Sequence, residues 1–170
     1  TVRMLRDHGQ SKKYHHDLIG WNARLEGIQA AVLSVKLKHL HEWNQRRQKN
    51  AKIYHSIFAE INEIVEPKIL DYGTHVFHVY AVRVHNRDHV MRRLVQANIG
   101  CGIHYPVPVH FTSAYSHLGF KAESFPISET CAREFISLPM YPELTKDQIH
   151  YVAETLQSVL AAGLAEIEAI

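Results

Sequence analysis

The sequence predicts an α/β protein, a small α+β domain preceded by a long helix, and three observations carry that expectation. From Leu25 onward, Leu25, Ile28, Val32 and Val35 fall on one helical face, and Leu33, Leu37 and Leu40 widen the stripe. The stretch "HVFHVYAVRV" (75–84) alternates with the two-residue period of a strand. From Pro67 on, the elements run strand, helix, strand, helices, strand, helix, an order that packs as a small sheet layered with helices.

Each element has its own local warrant. "TVRMLRDHGQ" reads as the last turns of an amphipathic helix with Val2 and Leu5 on one face. No capping signal precedes it, so the chain is expected to start inside a larger fold. Residues 9–24, polar and broken by Gly9 and Gly20, read as a loop. The helical pattern from Leu25 resumes through Ile53, Ile57 and Ile61. One element of about ten turns, roughly 50 Å long, is therefore expected, with a kink near Trp43. A helix of that length bridges domains or subunits. Pro67 to Gly73 is a turn-rich connector.

In the strand that follows, Val76, His78, Tyr80 and Val82 are expected on one side, and Phe77, Val79, Ala81 and Val84 largely on the other. "NRDHVMRRLVQANIG" reads as a helix with Val90, Leu94 and Val95 inward and Gly100 closing it. Pro106 and Pro108 keep "CGIHYPVPVH" extended. A short helix near 112–118 ends at Gly119, and "SETCAREF" (128–135) is another, with Ser128 as N-cap. "ISLPM" is a short strand, and Thr145 caps a final amphipathic helix.

Composition narrows the classes of function. A chain of 170 residues suffices for one ordinary domain with a real core. Its net charge of +2 lacks the footprint of a nucleic-acid binder. No apolar run approaches the roughly 20 residues needed to span a bilayer, so no membrane role is expected. Cys101 and Cys131 have neither zinc spacing nor a disulfide framework, and a reducing cytoplasm is the expected compartment.

Two stretches could carry chemistry. "GWNARLEG" places Asn22 and Arg24 directly ahead of the long helix, whose free N–H groups suit a phosphate or carboxylate. Equally, Asn22 could cap that helix, with Arg24 solvated or paired to Glu26. "GIHYPVPVH" holds His104, Tyr105 and His110 on a proline-stiffened rail, suited either to presenting side chains to a ligand or to a plain edge strand. The fourteen histidines invite a metal reading through His15–His16, His75 with His78, and His104 with His110. None sits in an H-E-x-x-H or a Cys/His quartet, and residues 75 and 78 are expected on opposite faces of a strand, so no metal site is expected. Neither a G-x-S-x-G nor a glycine-rich phosphate loop is present, and no lysine has an apolar setting. Taken by themselves, these residues describe a binding and assembly domain.

Five stretches in order, "LRDHGQ", "GWNARLEGIQAAVLSVKLKHL", "FHVYAVRV", "GIHYPVPVHFTSAYSHLG" and "FPISETCAREFISLPMYPELTKDQ", resemble the C-terminal part of the DegT/StrS-type sugar aminotransferases. These depend on pyridoxal phosphate (PLP) and belong to the fold type I, aspartate-aminotransferase class. The resemblance implies residues 1–24 as the tail of a large PLP domain with its connecting loop. It implies 25–62 as an interdomain and dimer helix, and 63–170 as the C-terminal small domain. It further implies a homodimer with active sites at the subunit interface. There Asn22 reaches the phosphate of the partner subunit's PLP, and Arg24, His104 and Tyr105 lie on the sugar side.

The implied reaction moves an amino group, from glutamate, to a keto group of a nucleotide-linked sugar, by a ping-pong route. The "GIHYPVPVH" form is closer to members acting on 3-keto sugars. This chain departs from the family pattern at its centre. The Schiff-base lysine, the aspartate under the pyridine nitrogen and the ring-stacking residue all precede the matching segment. The resemblance therefore implies a segment that is inactive alone and needs an N-terminal PLP domain. The rival reading is a non-catalytic binding or regulatory module that reuses the small domain.

Overall fold

Main-chain crossings organise the start of the chain. The structure, a computed structural model, describes residues 1–168, which divide into two units, Thr1–His41 and the described residues from Glu42 onward. In the first unit, α1 (Val2–Leu5) leads into a small hairpin of β1 (Gln10–Lys12) and β2 (His15–His16), with Gln10 opposite His16 and Lys12 opposite His15. The expected loop at 9–24 thus contains a strand pair. Its alternation spans too few residues to register as a periodic signal.

The same stretch closes on itself at Gly9 and Gly20. A Cβ on Gly20 would lie 2.2 Å from the Gly9 nitrogen, and one on Gly9 would lie 1.7 Å from the Leu18 oxygen. Both positions require glycine for this close backbone approach.

The single long helix is instead two. α2 covers Gly27–Leu37 and α3 covers Leu40–Phe58, so the break falls at Lys38–His39, ahead of Trp43. There the ladder tightens, with Lys38 N–H bonding Val35 O and His39 N–H bonding Lys36 O, each three residues back. α3 also stops before residue 62, because Ile61 N–H turns back onto Phe58 O.

The second unit is built on β3 (Tyr80–Arg83) paired antiparallel with β4 (Phe135–Leu138), matching Tyr80 to Leu138 and Val82 to Ile136. Single bridges extend this sheet on both sides, Val65 to Arg83 and Gly102 to Ser137. β3 is shorter than the expected 75–84 strand. The His75 ring accepts the Phe77 N–H at 2.9 Å and Phe77 takes a positive φ of 51°, which turns the chain before pairing begins. That turn moves Phe77 into the core alongside Tyr80 and Val82, against the alternation expected from sequence.

One face of the sheet, carrying Tyr80, Val82 and Ile136, packs on α3 (Tyr54, Phe58), α4 (Arg87–Gln96; Val90, Leu94) and α6 (Lys146–Glu168; Ile149, Val152, Leu156). Val95, expected inward, is exposed, and α4 is closed by left-handed Asn98 rather than by Gly100. Asparagine tolerates that conformation better than most residues.

Two short 3-10 turns, Val109–Phe111 and Ser113–Leu118, follow the prolines, and Gly119 at φ +69° ends the second. α5 runs Pro126–Glu134, with Pro126 rather than Ser128 opening it. The cap is supplied from inside the helix, since Glu129 Oε1 accepts the Phe125 N–H at 3.2 Å. At α6 the expected cap is present. Thr145 Oγ1 accepts the Gln148 N–H at 3.2 Å, and Gln148 Oε1 accepts the Thr145 N–H at 3.0 Å, a reciprocal capping box.

Candidate functional site

In the first unit, Trp21 to Ala23 is pulled straight by pairing with α1 and the turn after it. Trp21 N–H donates to Leu5 O, His8 N–H to Trp21 O, and Ala23 N–H to Arg6 O, at 2.7 to 2.8 Å. Asn22 therefore lies in a bridge opposite Asp7 and does not cap α2, whose N-cap position is Glu26. The expected placement at a helix terminus fails because these main-chain bonds hold residues 21–23 extended. Asn22 itself is exposed. Arg24 Nε stands 3.9 Å from Asp7 Oδ1, so its partner is Asp7 rather than Glu26. Arg24 and Asp7 share a cavity of about 480 Å³ with Lys12, Lys13 and Tyr14 of the hairpin.

In the second unit the face of the sheet opposite the helices is open, and a cavity of about 740 Å³ lies on it. Its walls follow from the strand order. Val65, bridged to β3, brings Glu66 and Lys68 to one side; Gly102, bridged to β4, brings His104 and Tyr105 to the other. Ala81 and Arg83 of β3 and Phe135 of β4 contribute to its lining.

His104 and Tyr105 thus line one concave cavity. His104 is anchored by a 2.8 Å hydrogen bond between its Nδ1 and the Ser137 hydroxyl. Arg83 is tied to Glu134, with Nη2 to Oε2 at 2.8 Å. Glu66 is tied to two residues behind it: His55 Nδ1 donates to Oε1 at 2.5 Å, and the Tyr80 hydroxyl donates to the same oxygen at 3.0 Å. Burial, reinforced by the Glu66 charge, holds the Tyr80 phenol far above the ordinary tyrosine range, so its hydroxyl remains a donor.

His75 and His78 line this same cavity. The expectation that they oppose one another across a strand fails because the strand begins only at Tyr80. Glu66 and Lys68 carried no sequence signal, since their place depends on pairing across the sheet. His110 leaves the rail altogether and turns inward to Glu129, with Nε2 to Oε1 at 3.2 Å. Among the described residues no three His, Cys, Asp or Glu side chains form a group that could hold a metal ion, and no helix is long and apolar enough to cross a membrane.

An antiparallel sheet backed by helices thus leaves on its open face a cavity walled by a histidine–tyrosine pair. Residues 1–157 match the DegT/DnrJ/EryC1/StrS aminotransferase family, and the chain belongs to it.

It is 41% identical over 157 residues to the erythromycin biosynthesis sensory transduction protein EryC1 of Saccharopolyspora erythraea, covering 92% of this chain and 43% of that one. It is 38% identical over 156 residues to dTDP-3-amino-3,4,6-trideoxy-alpha-D-glucose transaminase of Streptomyces venezuelae, covering 92% of this chain and 41% of the relative. The crystal structure of DesV from S. venezuelae superposes with a TM-score of 0.88 at 38% identity, over 92% of this chain and 42% of that one. The chain thus spans about two-fifths of the length of the relatives it matches.

Proposed function

We propose that this chain is the C-terminal segment of a PLP-dependent aminotransferase that transfers an amino group, from glutamate, to a keto group of a nucleotide-linked sugar in the cytoplasm. The observation that carries the reading is the family match over residues 1–157 by a chain two-fifths as long as its relatives. The kinship with the S. venezuelae relative, a 3-amino sugar transaminase, supports a 3-keto substrate. The segment comprises the end of a large PLP domain (1–24), an interdomain and dimer region (25–62) and the small domain (63–170).

The residues present fit the phosphate end of the cofactor. Asn22 is an exposed amide on an extended segment, free to reach a phosphate held by a second subunit. They do not fit its anchored end, because every lysine is exposed and none sits in an apolar setting. The cofactor, when bound, supplies the electron sink that lets an amino group move between carbon skeletons.

This chain's part is positioning. Asn22 donates to the phosphate of the partner subunit's cofactor, while Arg24, His104 and Tyr105 bind and orient the sugar nucleotide. The segment is inactive alone.

The test is a transaminase assay on the 170-residue protein and on a version joined to a lysine-bearing PLP domain of the family. Turnover only in the joined form, on a keto-sugar nucleotide, is expected. Turnover by the short chain overturns its inactivity, and a joined form that binds sugar nucleotide without turnover favours the non-catalytic module.

A further inference from the structure

The cavity on the open sheet face contains one carboxylate among its described lining residues, Glu66, facing a wall that also carries Lys68, His75, His78 and His104. Its two oxygens have different fates. Oε1 takes both the His55 Nδ1 and the Tyr80 hydroxyl bonds, and among the described residues Oε2 takes neither a hydrogen bond nor an ion pair. The group behind Oε1 is stiff. Tyr80 is fully buried and stacks on Tyr54 at 4.8 Å, and the His55 ring packs against Tyr80 and Phe77 at 5.5 and 5.9 Å. The Glu66 side chain is 22% exposed, so part of it reaches the cavity while the rest is clamped.

An ionised carboxylate only accepts hydrogen bonds, and two bonds on one oxygen leave the other with its full capacity for further donors. Sugar hydroxyls are such donors, and bonds from them to a charged acceptor are stronger than neutral ones. Tyr105, across the cavity and 74% exposed, offers an amphipathic ring of the kind that suits the apolar face of a sugar.

We propose that Glu66 is a specificity-determining residue that accepts hydrogen bonds from ring hydroxyls of the sugar, held in place by Tyr80 and His55. The proposal rests on reading this cavity as the sugar-side pocket. A purely structural Glu66, whose task is to tie the chain after α3 to the core, would contribute to stability and not to the choice between a sugar nucleotide and the bare nucleotide.

Titration of the ¹⁵N-labelled 170-residue protein with dTDP-glucose and, separately, dTDP separates the possibilities, read by amide shifts at Ala81, His104 and Tyr105, with melting temperature measured alongside. In the unsubstituted protein dTDP-glucose is expected to bind more tightly than dTDP. In Glu66→Gln, affinity for dTDP-glucose falls by about ten-fold while dTDP affinity is unchanged. Tyr80→Phe, which loosens the clamp and keeps the carboxylate, gives a smaller loss of the same selectivity.

Unchanged affinity for both probes in Glu66→Gln overturns the assignment and leaves the sugar-pocket reading standing. Equal losses for both probes with a lowered melting temperature also overturn it, in favour of the structural tie. Absence of any preference for dTDP-glucose in the unsubstituted protein removes the sugar-pocket reading, and the assignment with it.

Discussion

His110 and Glu129 face one another at 3.2 Å with side chains only 8% and 7% exposed, packed beside the rings of Phe111 and Phe125. Glu129 also accepts the backbone N–H groups of Glu123 and Phe125, so one carboxylate fastens residues 110, 123 and 125 to the first turn of α5. The Glu123 N–H chiefly, then the Phe125 N–H and His110, hold its carboxyl below the ordinary value, against the opposing effect of burial.

A lowered folded-state value means that Glu129 contributes stability above its ordinary value of 4.5, and loses it as pH falls through the lower folded value. The melting temperature should therefore drop on acidification below about pH 4.5 more steeply in the native protein than in Glu129→Gln. Glu129→Gln should be less stable at pH 7 and closer to the native protein at pH 3. Thermal denaturation between pH 3 and 7 checks this; parallel curves would show that the carboxylate charge is not what fastens the loop.

Thr145→Ala removes half of the capping box at α6 and should cost about 1 kcal/mol, read as a shift in denaturation midpoint with unchanged slope. Gln148→Ala should cost a similar or smaller amount. The double variant should lose less than the sum, because the two bonds are reciprocal.

Gly20→Ala forces a Cβ to within 2.2 Å of the Gly9 nitrogen, where only main chain can yield. It should destabilise the first unit by more than about 2 kcal/mol. Limited proteolysis should then cut between residues 8 and 24 while the second unit stays resistant; an unchanged digestion pattern would contradict the crossing.

Asn22→Ala, in a protein carrying the PLP domain, should weaken cofactor retention about ten- to a hundred-fold, the worth of one charge-assisted hydrogen bond. Since Asn22 caps no helix, the melting temperature of the cofactor-free protein should not move. A mixed dimer of one Asn22→Ala subunit and one lysine-null subunit should keep one working site. Loss of all activity would place Asn22 on its own subunit's cofactor instead.

No residue of α2 is buried, and Ile28, Val32, Val35 and Leu37 are each more than half exposed. Exposed apolar stripes of this kind associate. The 170-residue protein should sediment as a dimer or larger species, and Val32→Glu should shift it toward monomer. A clean monomer of the native chain at high concentration would tell against this.

The sequence made legible what depends on neighbours along the chain. Thr145 and Gln148 form a cap readable from a four-residue pattern, and the helical period marks the buried Val90 and Leu94, though it misplaces the exposed Val95. His104 and Tyr105 were legible as a pair because prolines restrict the backbone around them. What stayed hidden depends on partners distant in sequence. Asn22 is straightened by bonds to residues 5–8, Glu66 enters the cavity through the bridge of Val65 to Arg83, and His110 is drawn inward by a glutamate on another element. His75 and His78 share one wall because of a single positive φ at Phe77, which no alternation pattern encodes.

The contact of Gly9 with Gly20 gives residues 10–19 a particular evolutionary freedom. The chain leaves and returns through one main-chain clasp, so whatever happens within the excursion has little leverage on where Asn22 stands. Lengthening a loop of this size is entropically cheap, about 0.6 kcal/mol for each doubling. Insertions at Lys13–Tyr14, the tip of the hairpin, should leave the Asp7–Asn22 bridge in register while reshaping the cavity that Lys12, Lys13 and Tyr14 share with Arg24. The hairpin tip is accordingly a graftable position, where length and sequence can change without disturbing the base from which Asn22 projects.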